Sequence, residues 1–144
     1  MAAGSQLKRF IEAQERDYET ALAEIRNGRK RSHWMWYIFP QVKGLGFSSM
    51  AQHFGIKDLQ EAEAYLRHPV LGKRLIAISE ALLAGEGANA TQIFGNPDDL
   101  KLRSSMTLFA AVKDSDPVFK QVIDKYFQGK PDEQTLTILN RNAT

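Results

Sequence analysis

Cysteine is absent from this chain of 144 residues, and so is any long apolar run. Without cysteine, disulfide bonds, thiolate zinc sites and cysteine nucleophiles are excluded. No apolar run approaches the roughly 20 residues that a membrane-spanning helix needs, and residues 1–10 lack the apolar core of a signal peptide. The sequence therefore predicts a cytosolic protein without a membrane segment.

Sustained alternation of apolar and polar residues, the pattern typical of strands, is also missing. Apolar side chains recur instead at spacings of three and four residues, which gathers them on one face of a helix. In the first 26 residues this stripe comprises Leu7, Phe10, Ile11, Tyr18, Leu22 and Ile25. The composition, 43% hydrophobic and 25% charged, is that of a globular domain. The sequence predicts one all-α domain over residues 1–144, a compact bundle of about seven short helices.

Helix boundaries are predicted from capping residues, proline and glycine. Asp58 with Glu61 forms a capping box, and Asp116-Pro117 combines a capping side chain with proline at the first helical position. The predicted helices cover residues 5–26, 58–67, 69–84, 98–112, 117–128 and 131 onward, with a short helix after Ser48 or Ser49 and a single turn over 91–94.

Acidic residues are missing from one long stretch, residues 25–57, which we call the acid-free segment. Its six basic residues are Arg26, Arg29, Lys30, Arg31, Lys43 and Lys57. The whole chain has 19 basic and 17 acidic residues, so the remainder carries 13 basic against 17 acidic. The segment also holds six aromatic residues: Trp34, Trp36, Tyr37, Phe39, Phe47 and Phe54. Because cations attract anions and ring faces accept stacked bases, this combination predicts a nucleotide-like or phosphorylated small ligand.

A structural interpretation of the same segment stays open. Aromatic side chains bury large areas, so Trp34, Trp36 and Phe39 are equally suited to the core of a small helical domain. The basic residues at the end of the first helix would be favoured there by the negative end of the helix dipole, without any ligand.

Candidate binding residues fall in two segments. In the first, cations would hold a negative group, an indole would stack on a ring, and a Gly-x-Gly turn would let backbone N–H groups approach the ligand. In the second, a helix would place two serines beside Lys101; close helix packing explains these serines equally well. The candidates are Arg31, Trp34, Trp36, Gln41, Lys43, Gly44, Gly46, Ser48, Lys101, Ser104 and Ser105.

Motifs for established chemistry are few. The three histidines are far apart in the sequence, and neither a Walker loop nor a Gly-x-Ser-x-Gly elbow occurs, so no metal site and no cofactor are predicted. His33, beside the aromatic residues, is the candidate general acid or base, and a hydrogen-bonded structural histidine is the alternative.

A family resemblance rests on two blocks of sequence. The first is Ser32-His33-Trp34-Met35-Trp36-Tyr37-Ile38-Phe39-Pro40-Gln41, followed by Gly44-Leu45-Gly46 and Ser48; the second is Lys101-Leu102-Arg103-Ser104-Ser105-Met106-Thr107-Leu108-Phe109. With further matches along nearly the whole chain, the sequence resembles the bacterial family called domain of unknown function 1810. The resemblance implies a single all-α domain in a cytosolic bacterial protein and supplies no activity, substrate or catalytic residue. Some members carry the label calpastatin, which would imply a disordered repeat chain unlike this one.

The sequence supports two functional hypotheses. In the first, a small anionic ligand binds the acid-free segment, and hydrolysis of an N-glycosidic or phosphoester bond is the reaction that best suits such groups. In the second, the protein is a non-catalytic module whose basic face binds an acidic protein or a nucleic acid. The net charge of only +2 makes nucleic acid the weaker of these partners. Whether the protein catalyses a reaction, and its oligomeric state, stay open.

Overall fold

The structure is a computed structural model that describes residues 2–87 and 89–143. Over these residues the chain forms nine helices and no strand, which confirms the predicted all-α class. In chain order they are α1 (Ala2–Arg26), α2 (Met35–Ile38), α3 (Ser49–Phe54), α4 (Leu59–Arg67), α5 (Leu71–Ala84), α6 (Ala90–Phe94), α7 (Asp98–Ala110), α8 (Val118–Phe127) and α9 (Glu133–Ala143). The predicted count of about seven was low, because α2 and α6 are only four and five residues long.

The predicted helix starts depend on side-chain caps that the structure contains. The Asp58 carboxylate accepts the Glu61 backbone N–H at 2.9 Å at the start of α4. The Glu61 carboxylate accepts the N–H of Lys57 at 2.8 Å, one residue before the position of a standard capping box. At α8, Asp116 accepts the Val118 N–H at 2.9 Å, as its place before Pro117 predicts.

The core lies where α1, α4, α5, α7 and α8 pack against one another. The apolar stripe of α1 faces this core, with Leu7, Phe10, Leu22 and Ile25 buried. Large aromatic side chains fill its centre, and burying each one contributes about 1.5–3 kcal/mol. Those with almost no exposed surface are Trp34, Tyr65, Phe10, Phe39, Phe109 and Phe119.

The second half of the acid-free segment forms a loop that closes on itself. A single parallel bridge pairs Val42 with Ile56, with the Lys43 N–H donating to the Ile56 carbonyl at 2.8 Å. From α1, the Arg9 guanidinium donates to the carbonyl oxygens of His53 at 2.7 Å and Gly55 at 3.0 Å. These contacts fix both ends of residues 43–55 and leave the intervening loop and α3 at the surface.

Over residues 2–87 and 89–143, none of the helices combines the length and the apolar character needed to cross a bilayer.

Candidate ligand-binding cleft

The two tryptophans lie in different environments although they are two residues apart. Trp34 is fully buried, with 0% of its surface exposed, and its indole N–H donates to the Glu24 carboxylate at 2.9 Å. Trp36 is half-buried and lines a crevice at the surface. Of the two rings predicted to stack on a ligand, Trp34 is therefore sealed inside the core, and only Trp36 is accessible.

Glu24 at the end of α1 holds the loop that precedes Trp34. Its carboxylate accepts the backbone N–H groups of Arg31 at 2.7 Å and Ser32 at 3.0 Å, and the Ser32 hydroxyl at 2.6 Å. Burial alone would raise the pKa of Glu24, but the hydrogen bonds from Ser32, Arg31 and Trp34 lower it to about 2. The carboxylate is ionised at neutral pH and acts as a structural anchor for this loop.

Two lysines lie over the two indoles and share one carboxylate. The Lys30 ammonium is 5.0 Å from the Trp34 ring centroid and 2.9 Å from one oxygen of Asp98. The Lys101 ammonium is 3.8 Å from the Trp36 ring centroid and 3.3 Å from the other oxygen of Asp98. The two ammonium groups therefore share the single carboxylate of Asp98. Lys101 is one of the residues predicted for the site, whereas the contacts of Lys30 and Asp98 were not predicted.

The crevice beside Trp36 is narrow, with a cavity volume of about 20 Å³, which is room for about one water molecule. It lies between the start of the surface loop and α3, and it is lined by Trp36, Gln41, Val42, Leu45, Ala51, Phe54 and Gly55. Two of the predicted ligand residues, Trp36 and Gln41, are therefore brought together here.

A larger groove of about 340 Å³ lies between residues 44–47 and α9. Its lining residues are Gly44, Leu45, Phe47, Gln134, Thr137, Ile138 and Arg141. The four residues from α9 are spaced by three, one and three positions, so they share one face of that helix. Leu45 lines both the crevice and the groove, so the two adjoin. We call them together the acid-free cleft, because none of their described lining residues is acidic.

Gly44 gives the loop beside α9 a backbone conformation that other residues rarely adopt. Its φ is +111°. A Cβ built at this position would lie 3.5 Å from the Ile138 Cδ1 atom, which is an ordinary van der Waals contact. The backbone conformation, and not a lack of space, therefore favours glycine at this position of the groove lining.

Two other clefts differ from the acid-free cleft in charge. One of about 300 Å³ between α4, α5 and the α7–α8 turn includes Glu63, Asp114 and Asp116 among its lining residues. The other, of about 320 Å³ beside the end of α1, includes Glu86. Anionic ligands are repelled by carboxylates at close range. Of these clefts, the acid-free cleft is therefore the best suited to an anion.

Some predicted ligand residues lie at the edge of the acid-free cleft without lining it. Lys43 is exposed and precedes Gly44, and Gly46 is half-buried in the same loop. The Ser48 hydroxyl accepts the Ala51 N–H at 3.1 Å, so it caps α3 as predicted. Lys101 contacts the Trp36 ring but is not among the lining residues of the crevice or the groove.

Other predicted residues lie elsewhere. Arg31 and His33 are exposed, but neither lines any of the four clefts described above. Ser104 is buried between helices, where its hydroxyl contacts the Leu100 carbonyl at 3.2 Å and the Asp132 carboxylate at 3.1 Å. Ser105 is fully buried, and its hydroxyl has no hydrogen-bond partner within the described part of the chain. These serines were predicted to line a ligand cleft. In the structure they lie in the packing between helices instead.

The described lining of the acid-free cleft has few side chains that could act as an acid, a base or a metal ligand. Its described lining residues include no aspartate, glutamate or histidine. Over residues 2–87 and 89–143, histidine and carboxylate side chains do not gather in a group of three that could hold a metal ion. Sequence analysis missed the groove residues Phe47, Ile138 and Arg141, although the spacing of Gln134, Thr137, Ile138 and Arg141 was a signal for one exposed helix face.

Fold and cleft together define a class of protein: an all-α domain in which an acid-free segment and the last helix enclose a surface cleft. The chain matches the family model described as protein of unknown function (DUF1810) over residues 4–139, and it belongs to that family. The resemblance stated above is thereby confirmed. The crystal structure of the conserved hypothetical protein Rv1873 from Mycobacterium tuberculosis matches with a TM-score of 0.91 and 47% identity, over 93% of this chain and 96% of that chain. No curated protein matches the chain.

Proposed function

We propose that the protein binds a small anionic ligand that carries a ring or a comparable apolar body, and that the acid-free cleft is the site. A nucleotide-like or phosphorylated compound is the class predicted from the sequence. One observation carries the proposal. The groove and the narrow crevice that adjoins it are lined without a carboxylate, Arg141 lines the groove, and Lys101 lies on the ring of Trp36, which borders the crevice.

The lysine cluster supports an anion near Trp36. Asp98 is shared by two lysines, and Lys101 is the one that lies on the accessible indole. The Lys101 side chain is 22% exposed, against 8% for Lys30, and its contact with Asp98 is 0.4 Å longer (3.3 against 2.9 Å). Lys101 is therefore the lysine that an incoming anion would reach, and partial burial would strengthen that attraction.

The proposal concerns binding and includes no reaction. Hydrolysis of an N-glycosidic or phosphoester bond would need a proton donor or acceptor within reach of the ligand. His33, the sequence candidate, lies outside the cleft lining, and no other histidine or carboxylate takes its place among the described lining residues. Hydrolysis therefore stays a prediction. The cytosolic location, on which the cleft has no bearing, stays a prediction as well.

Thermal unfolding in the presence of anions tests the proposal. Adenosine monophosphate, phenyl phosphate, ribose 5-phosphate and carboxylates with an aromatic ring should be titrated into the protein at constant ionic strength. A binding ligand at a hundred times its Kd stabilises the folded state by about 2.7 kcal/mol. We expect at least one anion with a ring to raise Tm, and the Lys101→Met and Trp36→Leu variants to lose that shift.

Lys113→Met is the matched control, because Lys113 is an exposed lysine that lines the cleft containing Asp114 and Asp116. It should retain the ligand-induced shift in full. If none of these anions raises Tm, or if Lys101→Met and Lys113→Met respond alike, the proposed site is wrong.

A second candidate function, docking of a macromolecule, is favoured by the exposure of one aromatic residue. Phe47 is 82% exposed, and Met50, three residues later, is 39% exposed. Both lie in the acid-free segment, so an acidic protein surface or a nucleic acid would meet apolar and basic groups together. Binding of this kind weakens steeply with salt, whereas binding of a small ligand with one charge changes little.

A further inference from the structure

We propose that the outer side of residues 29–31 is a second binding surface, and that it takes an extended acidic protein segment with carboxylates at alternate positions. Neither Arg29 nor Arg31 lines the acid-free cleft, so this inference goes beyond the proposed function. It follows from the fixed backbone of this loop and from the spacing and exposure of its two arginines.

The backbone of the loop is held from its inner side. The Arg29 N–H donates to the Glu24 carbonyl at 3.0 Å, and the Arg31 N–H donates to the carboxylate of the same glutamate at 2.7 Å. Between them, the Lys30 N–H donates to the Ile93 carbonyl at 2.7 Å. All three amide groups are therefore engaged, and a partner would meet a surface that needs little further ordering.

Side chains alternate between the inner and the outer side of this loop. The Lys30 side chain is only 8% exposed and pairs with Asp98 at 2.9 Å, whereas Arg29 and Arg31 on either side of it are exposed. Residues 29–31 lie between α1 and α2, and alternation of this kind is that of an extended backbone. Since an extended chain rises about 3.3 Å per residue, the two arginines leave the loop about 6.5–7 Å apart.

The guanidinium groups of both arginines are available to a partner. Within residues 2–87 and 89–143, neither group takes part in an ion pair or a hydrogen bond. The guanidinium groups of Arg9, Arg74 and Arg103, by contrast, donate hydrogen bonds within the fold. The acid-free segment itself supplies no carboxylate to Arg29 or Arg31. An acidic partner would therefore not have to displace an existing contact.

Two guanidinium groups at this spacing suit an acidic peptide better than a nucleic acid. A guanidinium presents two parallel N–H groups that match the two oxygens of a carboxylate. Alternate side chains of an extended peptide lie on one side at the same spacing of about 6.5–7 Å, so two acidic residues separated by one position would face both arginines. Single strands are bound largely by rings that stack on bases, but Trp34, which follows the loop, is sealed in the core. Contact with only two phosphates would also be weak.

Fluorescence anisotropy with labelled peptides, at pH 7 and low ionic strength, tests the inference. One peptide alternates glutamate with threonine, which favours an extended chain. A second has the same number of glutamates, each separated by two threonines, and a third has glutamine in place of every glutamate. We expect the alternating peptide to bind about fivefold tighter than the second, and the glutamine peptide not to bind. Arg29→Gln and Arg31→Gln should each weaken binding of the alternating peptide about fivefold without changing Tm, since both side chains are exposed.

Glu24→Gln separates the fixed geometry of the loop from its charge. The substitution removes a negative charge beneath the loop, so a contact that depended on charge alone would become tighter. We expect instead that the loosened loop loses its preference for the alternating peptide, so that the ratio of the two affinities falls toward one. Tighter binding with an unchanged ratio would contradict the inference.

Arg67→Gln is the matched control, because Arg67 is an exposed arginine on α4. It should bind the alternating peptide as the unaltered protein does. If no peptide binds, if the two acidic peptides bind equally well, or if Arg29→Gln and Arg67→Gln respond alike, the inference is wrong. An oligodeoxythymidylate that binds through Arg29 and Arg31 when the peptides do not would show that the partner is a nucleic acid. If Phe47→Ser abolishes peptide binding while Arg29→Gln does not, the peptide occupies the groove and the inference is overturned.

Discussion

Trp34 and Trp36 share a short stretch of chain, and the difference between them separates the structural half of this segment from its candidate binding half. Each indole lies under a lysine ammonium, and the two lysines share Asp98. Trp34 is sealed and its N–H is bound by Glu24, whereas Trp36 borders a crevice. A cation over an indole is therefore not by itself a sign of a ligand site. The accessible cleft beside the ring makes the difference.

Helix geometry explains why the two indole rings point in different directions. Trp34 is the residue before α2, and Trp36 lies within it. Side chains two positions apart on a helix point about 200° away from each other, so one faces the core and the other faces the opposite side. The same geometry buries Tyr37 and Ile38 on the core side and leaves Trp36 half-buried beside the surface loop.

Removing the Trp34 and Trp36 indoles one at a time should reveal the largest difference between the two positions, measured as a loss of unfolding free energy. Trp34→Ala removes a fully buried side chain, and such truncations cost about 3–5 kcal/mol of unfolding free energy. It also leaves Glu24 without one of its donors. Trp36→Ala removes a half-buried side chain and should cost less than about 2 kcal/mol. Urea unfolding of both variants, followed by circular dichroism, gives the two values.

The distinction between Trp34 and Trp36 would be wrong if both truncations lowered the free energy of unfolding by the same amount. Equal losses would mean that Trp36 is as much a part of the core as Trp34, and the crevice would then be a packing feature without a binding role. Ligand binding should show the opposite order: a Trp34→Phe variant that remains folded should keep its ligand, while Trp36→Leu should not.

A substitution at Glu24 should destabilise only the structural part of the segment around Trp34. Its effect should be smaller than that of removing the Trp34 side chain. Because its pKa falls from 4.5 in the unfolded chain to about 2 in the fold, the ionised form stabilises the protein. This contribution is fully present above about pH 4.5 and is lost as the pH falls toward 2. Hydrogen bonds to a charged group contribute about 1.5–3 kcal/mol, and partial exposure of Glu24 reduces this to about 1–2 kcal/mol.

Urea unfolding at several pH values measures this contribution. Glu24→Gln should be less stable than the unaltered protein at pH 7 by about 1–2 kcal/mol, and the gap should shrink between pH 4.5 and 2.5 as the native carboxylate becomes protonated. Binding of ligands to the acid-free cleft should be unchanged at pH 7. Parallel stability curves for the two proteins over this range would show that Glu24 does not anchor the loop.

Local signals in the sequence predicted most of the fold. The caps at Asp58 and Asp116 and the apolar spacing of α1 act within a few residues, so they can be identified without tertiary structure. The four-residue helix α2 has no side-chain cap and is too short to show a period, so only packing against the core reveals it. For the same reason, the sequence could not tell Trp34 from Trp36.

The candidate site was predicted in part, because its contacts join distant parts of the chain. Trp36, Gln41 and Gly44 lie in one segment whose lack of acidic residues was visible in the sequence. Residues of α9 reach the groove only through folding, and nothing in the local pattern pairs Arg141 with the loop at Gly44. Lys30 and Asp98 are likewise far apart in sequence, so no local pattern pairs them.

The smallest expected effect comes from the two lysines, which differ in burial and in one hydrogen bond. Lys30→Met removes an ammonium that is 8% exposed and that also donates to the Ser32 carbonyl at 2.6 Å, so we expect a loss of about 1 kcal/mol. Lys101→Met removes a more exposed partner of Asp98 and should cost about 0.5 kcal/mol or less. Urea unfolding at pH 7 compares the variants.

A variant that combines Lys30→Met with Lys101→Met shows whether Asp98 couples the contributions of the two lysines to stability. After either single substitution Asp98 keeps one cation, but after both it is a largely buried carboxylate, 20% exposed, without either lysine. The cost of the double variant should then exceed the sum of the single costs by about 0.5–1 kcal/mol, since an uncompensated charge is unfavourable away from water. Strict additivity would mean that the lysines act independently, each through its own indole. In either case only the variants that lack Lys101 should lose ligand binding, because Lys30 lies on the sealed ring.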